Sequence, residues 1–166
     1  MLGLAGPLTH EALIRVPLIV RLPGQTRGQV VNDPVSQADI APTLLDLTGS
    51  PPLPWAEGRS LRVALEGKAL PPAPVFSMTM ERQSRFRPLS HGHYVVIDGN
   101  DKLTITLVPN GATAPAPTLF DLGTDSGETR DLAAARPERV QVLEALLRVR
   151  LAAAEQRRLA ATRPSP

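Results

Sequence analysis

The spacing of hydrophobic positions changes along the chain and predicts two kinds of structure in succession. Residues 17–22 form a short apolar run, which is typical of a strand covered on both faces in a parallel sheet. A helix is predicted next, because Asp39 is a suitable N-cap, apolar residues follow on one side, and Gly49 stands just beyond the end. A second, short helix is predicted over residues 60–66.

The pattern from residue 71 onward favours a small antiparallel sheet. Short strand-like runs are separated by turn residues, and Leu103, Ile105 and Leu107 alternate with Thr104 and Thr106, as expected for a strand with one wet face. Asp98-Gly99-Asn100-Asp101 is a hairpin signal. The predicted strands are residues 75–80, 93–97, 103–108 and 118–122.

An amphipathic helix is predicted to follow the sheet, from Pro137 to Leu159. Its apolar stripe recurs at helical spacing and consists of Val140, Leu143, Leu147 and Leu151. The sequence thus predicts an α/β protein, α+β within this chain. Its expected divisions are a first region over 1–70, a sheet-and-helix region over 71–160, and a frayed tail over 161–166.

Composition excludes several functional classes. The 166 residues include no Cys, which excludes disulfide scaffolds and thiolate chemistry. The net charge is only +2, and 16 of the 18 basic residues are Arg. Only five aromatic residues are present, so base-stacking platforms are not expected, and no nucleic-acid partner is predicted.

No targeting signal is predicted in the N-terminal residues. No basic residue precedes Arg15, Glu11 and Pro17 interrupt the apolar stretch, and no run approaches the roughly 18–20 apolar residues that span a bilayer. No transmembrane segment is therefore expected, and the compartment stays open.

Four ordered motifs resemble the C-terminal portion of the sulfatase family, within the alkaline-phosphatase-like superfamily. They cover roughly residues 10 to 150. In order, the motifs are Glu11-x3-Arg15-Val16-Pro17-Leu18-Ile19-Val20-Arg21-x-Pro23-Gly24, Val35-Ser36-x2-Asp39-Ile40-Ala41-Pro42-Thr43-Leu44-Leu45-Asp46-Leu47-x-Gly49, Gly58-Arg59-Ser60-Leu61, and Leu119-Phe120-Asp121-Leu122-x2-Asp125-x-Gly127-Glu128-x2-Asp131-Leu132.

The resemblance implies a partial alkaline-phosphatase-like fold and hydrolysis of a sulfate ester, or of a related phosphate or phosphonate ester. It implies calcium as the cofactor of the complete enzyme and a sulfated small molecule or glycan as its substrate. The family's nucleophile, a formylglycine made from a Cys/Ser-x-Pro-x-Arg motif, has no counterpart in this sequence. Neither do its Asp-Asp and Asp-Asn/His calcium ligands, and Gly6 stands where relatives have a sulfate-contacting Lys. No cofactor is therefore expected within this chain, and its expected partner is an upstream catalytic portion.

Three histidines are the candidate substrate contacts. His10 precedes Glu11 in a segment that follows the active-site rim in relatives. The alternative for His10 is a structural, hydrogen-bonded histidine or an exposed one. His91 and His93 precede Tyr94 at a loop-to-strand junction, where they could also hold a metal if a third ligand were present. No catalytic residue and no metal ligand is assigned.

Three functions remain open from the sequence. The chain is either the C-terminal part of a sulfatase-type hydrolase that is inactive alone, or a non-catalytic module that binds an acidic or sulfated polymer, or an enzyme with another mechanism. The polymer hypothesis depends on a basic face around Arg148, Arg150, Arg157 and Arg158. The N-terminal 60 residues are expected to be marginally stable alone, because the strand at 17–22 needs neighbours on both sides.

Overall fold

The computed structural model describes residues 9–80, 88–108 and 112–162. They form two compact units, residues 17–75 and residues 9–16 with the described residues from 76 onward. The elements are, in chain order, α1 (Glu11–Ile14), a 3-10 turn (Gln37–Asp39), α2 (Ile40–Leu47), α3 (Arg62–Leu65), β1 (Val75–Thr79), β2 (Gly92–Asp98), β3 (Asp101–Leu107), β4 (Thr118–Asp121) and α4 (Pro137–Thr162).

The parallel-type strand predicted at residues 17–22 is not formed. These residues have no regular structure, pair with none of the described strands, and leave Ile19 90% exposed. A strand of a parallel sheet needs hydrogen-bonded neighbours, and the four strands among the described residues pair only with one another, in the sheet formed from residue 75 onward. The apolar run is therefore present without the pairing that would make it a strand.

The first predicted helix is confirmed as α2, with one correction at its start. Asp39 does not cap α2 with its side chain; its carboxylate instead accepts the Ser36 N–H, completing a capping box around the preceding 3-10 turn. At the other end Gly49 adopts φ 65°, and the Ser50 N–H donates to the Leu45 carbonyl. This is a Schellman ending, in which the left-handed residue is preferably Gly.

Asp39 and Thr43, both buried, tie α2 to the segment that leads into α3. The second carboxylate oxygen of Asp39 accepts the Arg59 N–H at 2.8 Å, and the Thr43 hydroxyl accepts the Leu61 N–H at 2.9 Å. Gly58 passes so close to the 3-10 turn that a Cβ there would lie 2.0 Å from the Ala38 carbonyl oxygen. The short helix predicted over 60–66 is present in shorter form as α3.

The predicted strands and hairpin are confirmed as one four-stranded sheet in the order β1–β2–β3–β4. β3 is antiparallel to both of its neighbours, and Asp98 pairs with Asp101 across the two-residue turn. The tail beyond Thr162 and residues 109–111, between the strands predicted at 103–108 and 118–122, lie outside the described residues.

The core of this unit lies between one face of the sheet and α4. Alternate residues of β2 and β3 face α4, which contributes the predicted stripe. The buried members are Tyr94, Val96, Leu103, Ile105, Leu119, Leu143 and Leu147, and the partly buried Val140 and Leu151 pack against them. Among the described helices, none has the length and apolar character needed to cross a membrane.

Candidate functional site

The most unusual side chain of the sheet is Lys102, a fully buried lysine on β3. It follows the β2–β3 turn and pairs with Ile97 on one side and Phe120 on the other. Because successive strand residues point to opposite faces, Lys102 points away from Leu103 and from the α4 core. A charge in that position requires compensation from whatever covers the second face.

That compensation comes from two carboxylates and a carbonyl. The Lys102 ammonium donates to the Thr9 carbonyl at 2.6 Å and to Glu128 Oε1 at 2.9 Å. Glu11 Oε1 lies 3.9 Å from Lys102 Nζ. We call Lys102, Glu128, Glu11 and the adjoining His10 the Lys102 cluster.

Glu128 reaches the cluster from a tight turn that Asp125 organises. The Asp125 carboxylate accepts the Thr129 and Arg130 N–H groups at 2.9 and 2.8 Å. These bonds, that from Arg130 first, hold the pKa of Asp125 below its ordinary value. Glu128 has a left-handed backbone with φ 53°, uncommon for a residue other than Gly, and its side chain is only 5% exposed.

His10 lies at the edge of the cluster, where it begins α1. Its Nδ1 accepts a weak hydrogen bond from the Ala12 N–H at 3.4 Å and lies 3.6 Å from Glu128 Oε1. The next residue, Glu11, donates its backbone N–H to the same Glu128 oxygen at 2.5 Å. The His10 side chain is 33% exposed, so it is both anchored and accessible to solvent.

The other two candidate histidines lie elsewhere on the sheet. His93, on β2, shares a hydrogen bond of 3.0 Å with the Thr106 hydroxyl across the strands. Thr106 is four residues from Lys102 along β3, about 13 Å at strand spacing. His91 is half-buried just before β2. The structure therefore does not gather the three histidines into one constellation.

The described residues do not fit a metal site. Within residues 9–80, 88–108 and 112–162, no three His, Asp or Glu side chains converge in a way that could hold a metal ion. In the Lys102 cluster the carboxylates of Glu128 and Glu11 face the Lys102 ammonium group, whose positive charge would repel a calcium ion there. The calcium implied by the resemblance therefore has no site in the described part of the chain.

The cluster can bind and orient, and it supplies no bond-breaking chemistry of its own. Lys102 is fully buried and its hydrogen-bonding capacity is directed to Thr9 and Glu128, so it is not presented as a nucleophile. What it does is join three segments that are far apart in sequence. Its accessible group is the His10 ring.

Comparison with known proteins identifies the family. The family model described as "N-sulphoglucosamine sulphohydrolase, C-terminal" matches residues 7–157. The chain belongs to this family. Arylsulfatase K of Gallus gallus is 34% identical over 145 residues, which is 84% of this chain and 26% of that protein. The chain thus spans about a quarter of the length of this relative.

Solved structures show the same fold. A protein in complex with its substrate D-glucosamine-2-N,6-O-disulfate matches 76% of this chain and 24% of its own chain, with 22% identity and a TM-score of 0.52. The phosphonate monoester hydrolase of Silicibacter pomeroyi matches 79% and 27%, with 29% identity and a TM-score of 0.56. The predicted sulfatase resemblance and the alkaline-phosphatase-like fold class are confirmed.

The Lys102 cluster was not predicted from the sequence. The Thr9 carbonyl lies 93 residues before Lys102 and the Glu128 carboxylate 26 residues after it, and no local pattern connects them. One signal was available, because Glu11 and Glu128 each belong to a motif that carries the family resemblance. Two motif carboxylates without a local partner are candidates for a common cation.

Proposed function

We propose that this chain is the C-terminal part of a sulfuric ester hydrolase and that it hydrolyses no ester by itself. The observation that carries this proposal is the family match over residues 7–157, which covers a C-terminal domain and only about a quarter of arylsulfatase K. The sequence contains neither the nucleophile motif nor the aspartate pairs of the family. The nucleophile and calcium of the complete enzyme then come from the catalytic portion.

The exposed apolar segment 16–22 supports this assignment. Val16 and Ile19 are 55% and 90% exposed, and Leu18 and Val20 are 42% and 37% exposed. An exposed apolar segment that pairs with none of the described strands is available to pair with other strands. We propose that it completes the sheet of the catalytic portion, which is the partner of this chain.

We further propose that His10 contacts the substrate in the complete enzyme. When Nδ1 accepts the Ala12 N–H, the neutral ring carries its proton on Nε2, which is then a donor for an ester or sugar oxygen. His91 and His93 remain predictions for the same role. The substrate is proposed to be a sulfated small molecule or glycan.

Complementation tests the proposal. Gallus gallus arylsulfatase K, truncated before the region that this chain matches, would be co-expressed with the chain and assayed with 4-nitrophenyl sulfate and calcium. We expect hydrolysis only when both parts are present. Ile19→Asp should abolish it, because a charge would enter the proposed sheet, whereas Val149→Asp, at an exposed position on α4, should not. Equal activity of the two variants would contradict the proposed docking.

A second candidate is a phosphonate ester hydrolase. The specific observation is the 29% identity to a phosphonate monoester hydrolase with a TM-score of 0.56. The same complementation assay with a phenyl phosphonate monoester distinguishes the two. A kcat/KM higher for the phosphonate than for the sulfate ester would favour this alternative.

A further inference from the structure

We propose that Lys102 and Glu128 are positioning residues for His10, forming a buried clamp that holds residues 9–14 on β3. The inference rests on the proposed function, in which His10 contacts the substrate. The clamp itself is a property of this chain and can be tested without any substrate. The clamp gives a role to the buried Lys102 ammonium group, which is not part of the core packed against α4.

The geometry concentrates three bonds on a single pair. Lys102 Nζ holds the Thr9 carbonyl at 2.6 Å, immediately before His10. Glu128 Oε1 accepts both from Lys102 at 2.9 Å and from the Glu11 N–H at 2.5 Å, immediately after His10. The histidine is therefore fixed from both of its chain neighbours, and both attachments pass through the Lys102–Glu128 pair.

Burial makes the attachment a strong one. Lys102 is fully buried and the Glu128 side chain is 5% exposed, so water does not replace a lost partner. Removing one member of such a pair leaves an uncompensated charge in the interior, which is far more disruptive than the loss of an exposed ion pair. Glu128 also keeps a left-handed backbone in order to reach the site.

The clamp transmits position rather than chemistry. Residues 11–14 form a single helical turn whose amides, Leu13 and Ile14, both donate to the His10 carbonyl. A four-residue helix has little stability of its own, so its orientation follows that of its attachments. If the clamp opens, the His10 ring loses its fixed direction while the α4 core remains packed.

Hydrogen exchange on the isolated chain tests the clamp. In Lys102→Met, we expect exchange of the Leu13, Ile14 and Arg15 amides to accelerate by about 100-fold or more, because a buried pair has been broken. Lys68→Met, at a lysine that is 71% exposed, is the matched control and should leave these amides unchanged. Unchanged exchange in Lys102→Met, or acceleration that is equal throughout β2 and β3, would overturn the clamp.

Variants at Glu128 test the clamp if Lys102→Met does not fold. The glutamine oxygen can still accept from Lys102 and from the Glu11 N–H, so we expect a smaller acceleration, about 10-fold, whereas Glu128→Ala should approach Lys102→Met. Lack of any difference between Glu128→Gln and Glu128→Ala would show that the carboxylate position does not accept these bonds.

Kinetics of the complemented enzyme test the positioning role. With 4-nitrophenyl sulfate, Glu128→Gln and His10→Ala should each raise KM more than they lower kcat, and the double variant should be no worse than His10→Ala alone. Additive effects would overturn positioning through His10. If the complemented enzyme has no activity, the proposed function fails, and the exchange experiment still decides whether the clamp exists.

Discussion

Replacing Tyr94 with phenylalanine is expected to stabilise the protein, although most core substitutions destabilise. Tyr94 is 1% exposed within the α4 core, and its hydroxyl has no hydrogen-bond partner in the part of the chain that the structure describes. A buried polar group without a partner costs about 1–3 kcal/mol. Tyr94→Phe removes the hydroxyl and keeps the ring that packs against Leu143 and Leu147.

We expect Tyr94→Phe to raise the free energy of unfolding by about 1 kcal/mol, which corresponds to about 2–4 °C in Tm for a chain of this size. Thermal and urea unfolding followed by circular dichroism would measure both quantities. Tyr94→Leu is the contrasting variant, because it also removes ring atoms and should destabilise by creating a cavity. A loss of more than about 1 kcal/mol in Tyr94→Phe would show that the hydroxyl is bonded after all.

The same residue predicts a dependence on alkaline pH. Burial, and secondly the negative charge of Glu155, raise the pKa of Tyr94 above its ordinary value. The folded protein therefore holds this proton more tightly than the unfolded chain. The protonated Tyr94 hydroxyl therefore makes a contribution to the free energy of unfolding that is fully present below a pH of about 10. This contribution is lost as the pH rises through the pKa of Tyr94 in the folded protein. Tyr94 is the sole tyrosine, so its absorbance reports the titration directly. Wild type should lose more stability than Tyr94→Phe above that pH.

Two further predictions concern the unit of residues 17–75 and the basic helix. Gly58→Ala should lower the free energy of unfolding by about 3 kcal/mol, because the new Cβ would meet the Ala38 carbonyl oxygen. Gly28→Ala is the control and should change it by less than about 0.5 kcal/mol, because its Cβ enters open space. Equal effects of the two substitutions in urea unfolding would refute the close approach of Gly58. Heparin should bind weakly at physiological salt, because Arg148 pairs with Glu144, Arg158 pairs with Glu155, and Arg150 lies over the Phe76 ring. Tight binding that weakens steeply as salt is added would instead support the hypothesis that the chain binds an acidic or sulfated polymer.

The elements that local patterns predict best are those whose partners lie nearby in sequence. The β2–β3 hairpin is set by a two-residue turn and by the alternation of Leu103, Ile105 and Leu107 with threonines in β3, which together determine its register. The stripe Leu143, Leu147 and Leu151 likewise determines which side of α4 is buried. Both features are complete within a short stretch of chain.

The prediction at residues 17–22 failed for the opposite reason. Its apolar run indicates burial in a sheet, but burial needs neighbouring strands that the described residues do not provide. Asp39 shows a subtler error, because a good N-cap residue bonded to Ser36 and Arg59 instead of to the helix that follows. At residues 17–22 the neighbouring strands are missing, and at Asp39 the bonds to Ser36 and Arg59 outweigh the residue's preference for capping the helix.

The candidate site was predictable only in its outline. The sequence singled out His10, but nothing local shows that the Lys102–Glu128 pair anchors both chain neighbours of His10, because the contacts of Lys102 with Thr9 and Glu128 join residues 93 and 26 positions apart. Such pairings depend on the assembled sheet. The position of His93 away from the Lys102 cluster follows from strand register in the same way, since His93 pairs with Thr106.

The most direct test of the central claim is the rate of 4-nitrophenyl sulfate hydrolysis, measured with calcium for this chain alone, for the truncated arylsulfatase K alone, and for the two together. The proposed division of labour predicts turnover only in the combined sample. Turnover by this chain alone would contradict it, because the bond-breaking groups would then have to lie within these 166 residues.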